Sequence, residues 1–379
     1  MSVTVSAPGR RGACPTLAAP MASGDGLIAR LALPELTPAG LAGLAAAATR
    51  WGNGVVEITA RGSVQVRGLR PETAGPFAEA VAALGIEPPE GPPMLTGPLA
   101  GLDPGEIADP RPLAAALRAF DGVLLPKVSV IVDGGGALHL DAVPADLRLR
   151  ATPEGWIVAA GGTAAAARIL GCYPADPALA AGLALLARLS ARRLRARDLA
   201  LAATSALPVR APGCPVGRFA LASGIGRGVA LAFGQAEATA LAALAVAAKG
   251  AVAFRPAPGR ALIAVGLTEA ADRRLVAAAA RLGFVTDPDD PRLTVDACAG
   301  APACGAALLP TRAIAARVAG RVALPAGARL HLSGCPKRCA QPAGAAVTLV
   351  GTGDGPRVTS EAMEVTAALR ARLLEEAGA

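Results

Sequence analysis

The pattern of apolar and polar positions predicts the same five elements twice along the chain, in the order strand, helix, strand, strand, helix. In the first copy the predicted elements are residues 26–33, 37–50, 55–60, 63–69 and 71–84. In the second copy they are residues 228–234, 237–249, 251–256, 261–267 and 269–282. Thr37 followed by Pro38 is a typical helix start, and glycine or proline supplies each turn between paired strands. Strands and helices mixed in this order predict an α+β fold.

Short matching stretches at a nearly constant spacing indicate that the chain is internally duplicated. The matching pairs lie 198 to 200 residues apart; they are 41–48 with 241–248, Gly68-Leu69 with Gly266-Leu267, Leu84-Gly85 with Leu282-Gly283, Thr96 with Thr294, and Leu125-Pro126 with Leu324-Pro325. Each match alone carries little weight in a chain so rich in alanine, leucine and glycine. Their conserved order along both halves supports the duplication.

Each repeated unit is followed by a second segment, at 89–200 and 288–379, in which we predict a helix and further strands. Residues 127–143 are predicted to form a β-hairpin whose turn lies at 134–136. The stretch 205–217 contains three prolines and little periodicity, so it is the predicted linker between the halves.

Composition narrows the class of protein. A length of 379 residues predicts two or three domains, and an apolar fraction of 53% excludes a disordered chain. The longest uncharged apolar stretches, 178–187 and 238–248, are shorter than the roughly 18 residues that cross a bilayer. No continuous apolar segment follows Arg10 and Arg11, so this pair does not predict an export signal. We therefore expect a cytoplasmic protein without a membrane partner.

The charge balance favours anionic partners. The net charge is +8, although a genomic bias toward alanine and arginine explains the same excess equally well. Aromatic residues make up only 2% of the chain, which leaves few side chains on which nucleobases can stack. We therefore expect no nucleic-acid partner.

The cysteines provide the first specific chemistry. Cys298 and Cys304 are followed, after thirty intervening residues, by Cys335 and Cys339, and both pairs lie in Gly/Pro-rich stretches. Two short-spaced thiolate pairs in such loops can converge on one soft metal centre. Structural zinc prefers a two-residue spacing, whereas an iron-sulfur cluster is wider and tolerates this pattern better. The alternative is that all four are inert buried thiols.

The remaining thiols and the first half lack this arrangement. Cys14, Cys172 and Cys214 occur singly, and we interpret them as packing residues. The stretches of the first half that correspond to the cysteine motifs, 94–101 and 125–133, contain no cysteine. The duplicated scaffold is therefore predicted to hold a single cluster.

The cysteine pattern, set in the second of two repeated halves, resembles the nitrite and sulfite reductase family from about residue 9 to about residue 350. The resemblance implies two ferredoxin-like half-domains and two α/β domains about a pseudo-twofold axis. The implied domains are 20–88, 89–204, 218–287 and 288–379, with the cluster in the last. It also implies that Cys298, Cys304, Cys335 and Cys339 bind a 4Fe-4S cluster. In the reductases the last of these cysteines also bridges to siroheme iron.

The anion site of those reductases is matched only in part. Their TxR arginine corresponds to Arg61, and one of their two lysines corresponds to Lys127, while Ser129 stands where the second is expected. Pro92-Pro93 replaces an expected arginine. A site without two of its cations should stabilise a small dianion poorly, which argues against a true reductase.

The stretches RGACP, MASGDGLIARL and NGVVEITARGSVQVRGL resemble one branch of the family, which hydroxylates precorrin-3A at C-20 and forms a γ-lactone in aerobic cobalamin biosynthesis. Resemblance to this branch implies that the protein uses dioxygen, holds a 4Fe-4S cluster and a possible mononuclear non-haem iron, and binds no siroheme. It also implies electrons from an external donor, a ferredoxin or an NAD(P)H-dependent reductase. Neither His139 nor His331, the two histidines, can be assigned as an iron ligand, and the catalytic residues remain unknown.

Precorrin-3A carries many carboxylates, so basic residues are the candidate substrate contacts. Arg61 and Arg67 have even spacing on one strand and project from the same face, although an ordinary solvated strand face gives the same pattern. The other candidates are Lys127, Lys337 and Arg338. The GxGxG at 224–228 precedes a strand, so it does not predict a nicotinamide site. Two alternatives stay open: a siroheme-dependent reductase and a non-catalytic iron-sulfur electron-transfer subunit.

Overall fold

The computed structural model describes residues 14–87, 90–201, 207–325, 327–339, 341–342, 346–360 and 364–378. Within these residues the chain forms eight α-helices and eighteen strands, and the strands build four sheets. Arg10, Arg11, the predicted domain boundaries at 88/89 and 204, and residues 205–206 of the predicted linker lie outside the described residues.

The elements follow in four groups along the chain. The first group is β1 (Met21–Ser23), β2 (Gly26–Leu31), α1 (Pro38–Trp51), β3 (Val55–Ile58), β4 (Val64–Leu69) and α2 (Pro71–Ala83). The second is β5 (Met94–Thr96), α3 (Arg111–Arg118), β6 (Val130–Asp133), β7 (Leu147–Thr152), β8 (Gly155–Ala160), β9 (Arg168–Tyr173) and α4 (Ala175–Arg192). The third is β10 (Gly217–Ala220), β11 (Ile225–Ala230), β12 (Gln235–Glu237), α5 (Ala238–Ala247), β13 (Ala253–Ala257), β14 (Ala261–Leu267) and α6 (Glu269–Arg281). The last is β15 (Val295–Ala297), α7 (Thr311–Val318), β16 (Arg329–Ser333), β17 (Ala346–Thr352), β18 (Gly355–Ser360) and α8 (Ala367–Ala377).

The first and third groups repeat one plan, as the sequence predicts. Their sheets run β1-β2-β4-β3 and β10-β11-β14-β13, with neighbouring strands antiparallel. In both sheets the register shifts at the same place, beside a glycine in the left-handed region: Gly68 (φ 71°) and Gly266 (φ 76°). A bulge here suits glycine because other residues rarely adopt a positive φ.

The two repeated units pair extended segments across their interface, a strand in one direction and an isolated bridge in the other. β12 of the second unit adds to the first sheet beside β3, and Leu36 of the first unit bridges to Phe254 in β13. Helices α1 and α5 pack together, with Leu44 and Leu244 buried between the two units. The two units therefore share one hydrophobic core rather than two.

The second and last groups also share a plan. Their sheets run β5-β6-β7-β8-β9 and β15-β16-β17-β18; the first two pairings are parallel and the third is antiparallel in both. Each sheet packs helices against a separate core. The duplicated α+β fold is thus confirmed in both kinds of unit.

The hairpin predicted at 127–143 is wrong. β6 lies between the parallel strands β5 and β7, and no second strand follows it before Leu147. All four residues of β6 are buried, so its alternation reflects a core strand and not a half-exposed hairpin. Asp133 then closes a loop, because its carboxylate accepts the backbone N–H groups of Gly135 and Leu140.

Residues 207–216 are irregular, as the linker prediction requires for this part of it, and β10 begins at Gly217. None of the helices in the described part of the chain is long and apolar enough to cross a bilayer.

Candidate functional site

Two cysteine-bearing loops meet at one edge of the last sheet. Cys298 comes directly after β15, and Cys335 follows β16 by one intervening residue. Because β15 and β16 are parallel neighbours, their carboxyl ends lie side by side. The N–H of Gly334 donates to the Sγ of Cys298 over 3.2 Å, and the N–H of Leu308 donates to the carbonyl of Gly334 over 2.6 Å. The loops that carry the predicted ligands are therefore packed together.

Cys339 lies within electrostatic reach of two of the other thiols. Burial raises the pKa of the Cys339 thiol, and the nearby Cys335 and Cys298 raise it further, while Lys337 and Arg67 oppose them. Thiolates held this close repel one another unless a cationic centre lies between them.

Cys304 packs against the turn between β1 and β2. The carbonyl of Gly24 accepts the N–H of Gly305 over 2.8 Å, and a Cβ added at Gly24 would overlap the Sγ of Cys304. The first repeated unit thus covers the cysteine loops of the last sheet through this turn. Four soft donors on packed loops, a backbone N–H aimed at sulfur and the raised pKa of the Cys339 thiol together fit an iron-sulfur cluster.

A row of polar side chains crosses the first sheet beside these loops. Arg30, Gln65, Glu57 and Gln235 occupy facing positions on β2, β4, β3 and β12. They point away from the core because the alternate positions, such as Val56 and Val66, are buried against the helices.

The polar row is joined internally by hydrogen bonds. Gln65, with its amide oriented to satisfy both neighbours, donates to Glu57 over 3.0 Å and accepts from Arg30 over 2.7 Å. Gln235 donates to Glu57 on the other side and accepts from Arg312 over 2.8 Å.

The row is linked to the cysteine loops through two arginines that bond to its members. Arg312, the partner of Gln235, follows Thr311, the first residue of α7, whose hydroxyl donates to the carbonyl of Cys298 over 2.8 Å. Arg67 on β4, the partner of Glu57, also pairs with Asp25, the residue after Gly24. The row was missed from the sequence because its members come from four strands that are distant along the chain.

Arg67 is held by the protein's own carboxylates. Its Nε donates to Asp25 over 2.7 Å, its Nη1 donates to Glu57 over 3.0 Å, and its Nη2 donates to Ser23 over 3.0 Å. Burial disfavours its charge, but the carboxylates outweigh burial and raise the pKa of Arg67 above its ordinary value. Arg67 therefore stays charged and fixed in position, with most of its donors occupied.

The prediction that Arg61 and Arg67 share one strand face is wrong, because Arg61 precedes β4 and its side chain reaches the first α/β unit. Its Nη1 donates to the carbonyl of Pro144 over 2.6 Å, and its Nη2 donates to the hydroxyl of Ser129 over 3.2 Å. Burial lowers the pKa of Arg61. Ser129, the residue found where the reductases have a lysine, thus contacts the arginine that matches their anion site.

The other candidate substrate contacts lie on loops. Lys127 is exposed just before β6, and Lys337 is exposed between Cys335 and Cys339. Arg338, next to Lys337, donates to the hydroxyl of Thr359 over 3.1 Å. Lys337 and Arg338 therefore lie at the cysteine loops, whereas Lys127 lies near Arg61.

The two histidines occupy different surroundings. His331 in β16 is buried, and neither ring nitrogen has a hydrogen-bond partner among the described residues. Burial lowers the pKa of His331 to about 4. His139 lies with Asp133 and Asp141 in a group whose ligand atoms are within 4.8 Å of one another.

The Asp133, His139 and Asp141 group does not fit a metal ion. Arg210 donates to Asp133 over 2.7 Å and to Asp141 over 2.8 Å, so a guanidinium already lies between the carboxylates. His139 shares a hydrogen bond of 2.7 Å with the carbonyl of Ala211. This cluster anchors the irregular segment 207–216 to the first α/β unit.

Three known proteins or families are similar to this chain, one over the first repeated unit and two over most of its length. A family model described as the nitrite/sulfite reductase ferredoxin-like half domain matches residues 19–84. A curated Sinorhizobium protein named precorrin-3B synthase is 39% identical to this chain, and the match covers 91% of this chain and 82% of that protein. The solved structure of the Mycobacterium tuberculosis NirA protein superposes with a TM-score of 0.67 at 19% identity, covering 88% of this chain and 73% of that one.

Proposed function

This chain belongs to the precorrin-3B synthase family, and on that premise we propose that it hydroxylates precorrin-3A at C-20, with γ-lactone formation, to give precorrin-3B. One atom of dioxygen enters the macrocycle, and the other leaves as water after taking up two electrons and two protons. An external donor, a ferredoxin or an NAD(P)H-dependent reductase, supplies these electrons in the cytoplasm. The family resemblance inferred from the cysteine motif agrees with this membership.

The observation that carries the proposal is the meeting of the cysteine loops with the polar row. We assign Cys298, Cys304, Cys335 and Cys339 as ligands of a 4Fe-4S cluster, which would supply single-electron transfer from the donor to the substrate site. The row beside the cluster presents arginines from both halves, which suits a macrocycle bordered by carboxylates.

The basic residues have different roles in this proposal. Lys337 and Arg338 lie in the cluster loop, Lys127 lies on the first α/β unit, and Arg61 reaches that unit from the first repeated unit. Together they can bind carboxylates at separate edges of one macrocycle. Arg67 holds the sheet against the cysteine loops, because Asp25 and Glu57 already neutralise its charge.

The mononuclear iron implied by the family resemblance receives no ligands here. The described group with suitable donor types, Asp133, His139 and Asp141, is filled by Arg210. We therefore derive no step through such an iron.

Anaerobic purification tests the proposal. We expect a broad sulfur-to-iron absorption, sulfide and iron in the protein, and no siroheme bands. Incubation with precorrin-3A, dioxygen and a reduced donor should give a product heavier by one oxygen atom, with the label incorporated from ¹⁸O₂. Sharp siroheme bands together with sulfite reduction would overturn the proposal in favour of a reductase.

A further inference from the structure

The hydroxyl of Thr311 lies beside both acceptor atoms of Cys298. Its Oγ1 is 2.8 Å from the carbonyl oxygen of Cys298 and 3.7 Å from the Sγ of the same residue. Thr311 is buried, so bulk water does not compete for its proton. The one hydroxyl proton can therefore be donated to the carbonyl or to the sulfur of this cysteine.

The place of Thr311 in its helix leaves this proton to the cysteine loop. A threonine inside a helix can direct its hydroxyl to a carbonyl three or four residues earlier in the same helix. Thr311 is the first residue of α7 and has no such carbonyl within the helix, and its hydroxyl contacts a residue thirteen positions earlier. The hydroxyl therefore belongs to the surroundings of Cys298 and not to the interior of α7.

The close approach of the cysteine loop to α7 depends on a glycine. Gly300 has a φ of 67°, and a Cβ at this residue would overlap the Oγ1 of Thr311. On the other side, Arg312 donates to Gln235 in the polar row over 2.8 Å. The turn that carries Thr311 is thus held between the cysteine loop and the polar row.

Cys298 differs from the other three assigned ligands in the donors around its sulfur. Its Sγ accepts the N–H of Gly334 over 3.2 Å in addition to its contact with Thr311. Among the described residues, no hydrogen-bond donor contacts the sulfur of Cys304, Cys335 or Cys339. Hydrogen bonding to sulfur is therefore concentrated at one of the four ligands.

Donors at a ligating sulfur favour the reduced form of a cluster, because the added electron increases the negative charge on the sulfur ligands. A thiolate also accepts more strongly than a neutral thiol, since charge-assisted hydrogen bonds are stronger than neutral ones. We propose that Thr311 is a positioning residue of the 4Fe-4S cluster, whose hydroxyl donates to the Cys298 sulfur in the loaded protein and raises the reduction potential. This inference rests on the cluster assigned under the proposed function.

The midpoint potential of the anaerobically purified protein tests the proposal, with EPR of the reduced cluster as the signal. Thr311→Val removes the hydroxyl and keeps the shape of the side chain, so the cluster should become about tenfold harder to reduce. For a one-electron couple this is a midpoint lower by about 59 mV. Thr311→Ser keeps the hydroxyl and should keep the midpoint of the wild type.

Thr152→Val is the matched control. The hydroxyl of Thr152 also donates to a carbonyl, that of Gly155, but it lies in the first α/β unit, which carries none of the assigned ligands. Its loss should leave the midpoint unchanged.

Pulsed EPR in D₂O gives a second measurement. The wild type and Thr311→Ser should show an exchangeable deuteron coupled to the reduced cluster, and Thr311→Val should lose it. Thr311→Ala removes the same hydroxyl with a smaller side chain and replaces the valine variant if that one binds no cluster.

An unchanged midpoint and an unchanged deuteron signal in a cluster-loaded variant without the hydroxyl would overturn the proposal. So would lower iron content with a normal midpoint in the remaining clusters, because that result shows that Thr311 only holds the loop through the Cys298 carbonyl. A wild-type spectrum with no coupled exchangeable deuteron would overturn it without any variant.

Turnover separates this proposal from the proposed function. Wild-type protein whose cluster depends on Thr311 in this way, but which does not convert precorrin-3A, would refute the proposed function and leave the role of Thr311 intact. Conversion of precorrin-3A together with equal midpoints for the wild type and Thr311→Val would refute the role of Thr311 alone.

Discussion

The amide of Gly334 donates to the thiol of Cys298 and so joins the two cysteine loops. A backbone N–H that donates to a ligating sulfur stabilises the thiolate and raises the reduction potential of a bound cluster. The contact depends on the parallel pairing of β15 and β16, which brings the two loops to the same edge. Single residues in these loops should therefore control cluster content.

Replacement of Cys298 by serine should abolish cluster assembly, because a hydroxyl is a poor ligand for a soft iron-sulfur centre. Iron and acid-labile sulfide per chain are the measurement. Cys214→Ser serves as the matched control, since Cys214 is an exposed thiol outside both loops. The packing role predicted for Cys14, Cys172 and Cys214 is wrong, because all three are exposed. Full iron and sulfide content in the Cys298 variant would contradict the ligand assignment.

Replacement of Gly24 by alanine should also lower cluster content, for a steric reason. The new methyl group would overlap the Sγ of Cys304, so the β1–β2 turn or the cysteine loop must move. We expect destabilisation of about 1–3 kcal/mol, as is usual for overpacking, and a reduced iron to protein ratio. Gly75→Ala is the control, because an added Cβ at Gly75 in α2 meets nothing within 4 Å. Equal iron content in both variants would contradict this role for Gly24.

His331 should make the protein less stable in mild acid. Its pKa is about 4 in the folded protein against an ordinary value of about 6.5, so the unfolded chain binds the proton more readily. The contribution of His331 to stability is present above pH 6.5 and is lost as the pH falls toward 4. Urea unfolding between pH 7.5 and 4.5 measures this slope.

The variant His331→Leu should flatten that slope, because it removes the buried titrating group and two unpartnered nitrogens. A slope equal to that of the wild type would show that other groups cause the acid sensitivity.

At the scale of elements, the sequence predicted most accurately the helices and strands whose apolar periodicity lies within one short segment. All five elements predicted for each repeated unit are present, and Thr37 caps α1, because these signals lie within one segment. The strand predicted at 228–234 instead spans Ile225–Ala230, and a 3-10 turn follows at Ala232–Gly234. The hairpin at 127–143 failed because a buried parallel strand and a half-exposed hairpin share the same apolar run.

The candidate site shows the same division between local and long-range information. The cysteine motif could be recognised because its spacing is local, whereas the row from Arg30 to Gln235 depends on strand register. Two cations of the reductase anion site are absent at 92–93 and 129, whereas Arg118 and Arg255 line a cleft with Arg61 from other elements. The order of residues along the chain does not predict which of these distant side chains lie close together in the fold.

At the scale of the whole molecule, strand β12, the Leu36 to Phe254 bridge and the packing of α1 on α5 join the two repeated units into a single core. Each unit contributes one helix and one strand edge to the other. We therefore expect the two units to unfold together in one cooperative transition, as a shared core requires.

Replacement of Leu244 by alanine should test this coupling. Leu244 is buried in the shared core, and its truncation should cost about 2–5 kcal/mol. Hydrogen exchange should report loss of protection in β3 and β4 of the first unit as well as in β13 and β14 of the second. Val246→Ala on the same helix is the control, because its side chain is 75% exposed and its loss should change stability by less than about 0.5 kcal/mol. Loss of protection confined to the second unit would show that the cores are separate.

The reciprocal pairing of the two repeated units indicates how such a chain can arise. A polypeptide with a single repeat would leave one edge of its sheet unpaired and one helix face bare, and a second copy would satisfy both by giving its own strand and helix in return. The present chain has the geometry of such a two-fold homodimer whose subunits have been fused. After fusion the subunits could diverge, so that one copy carries the four cysteines while the other keeps the same frame without them.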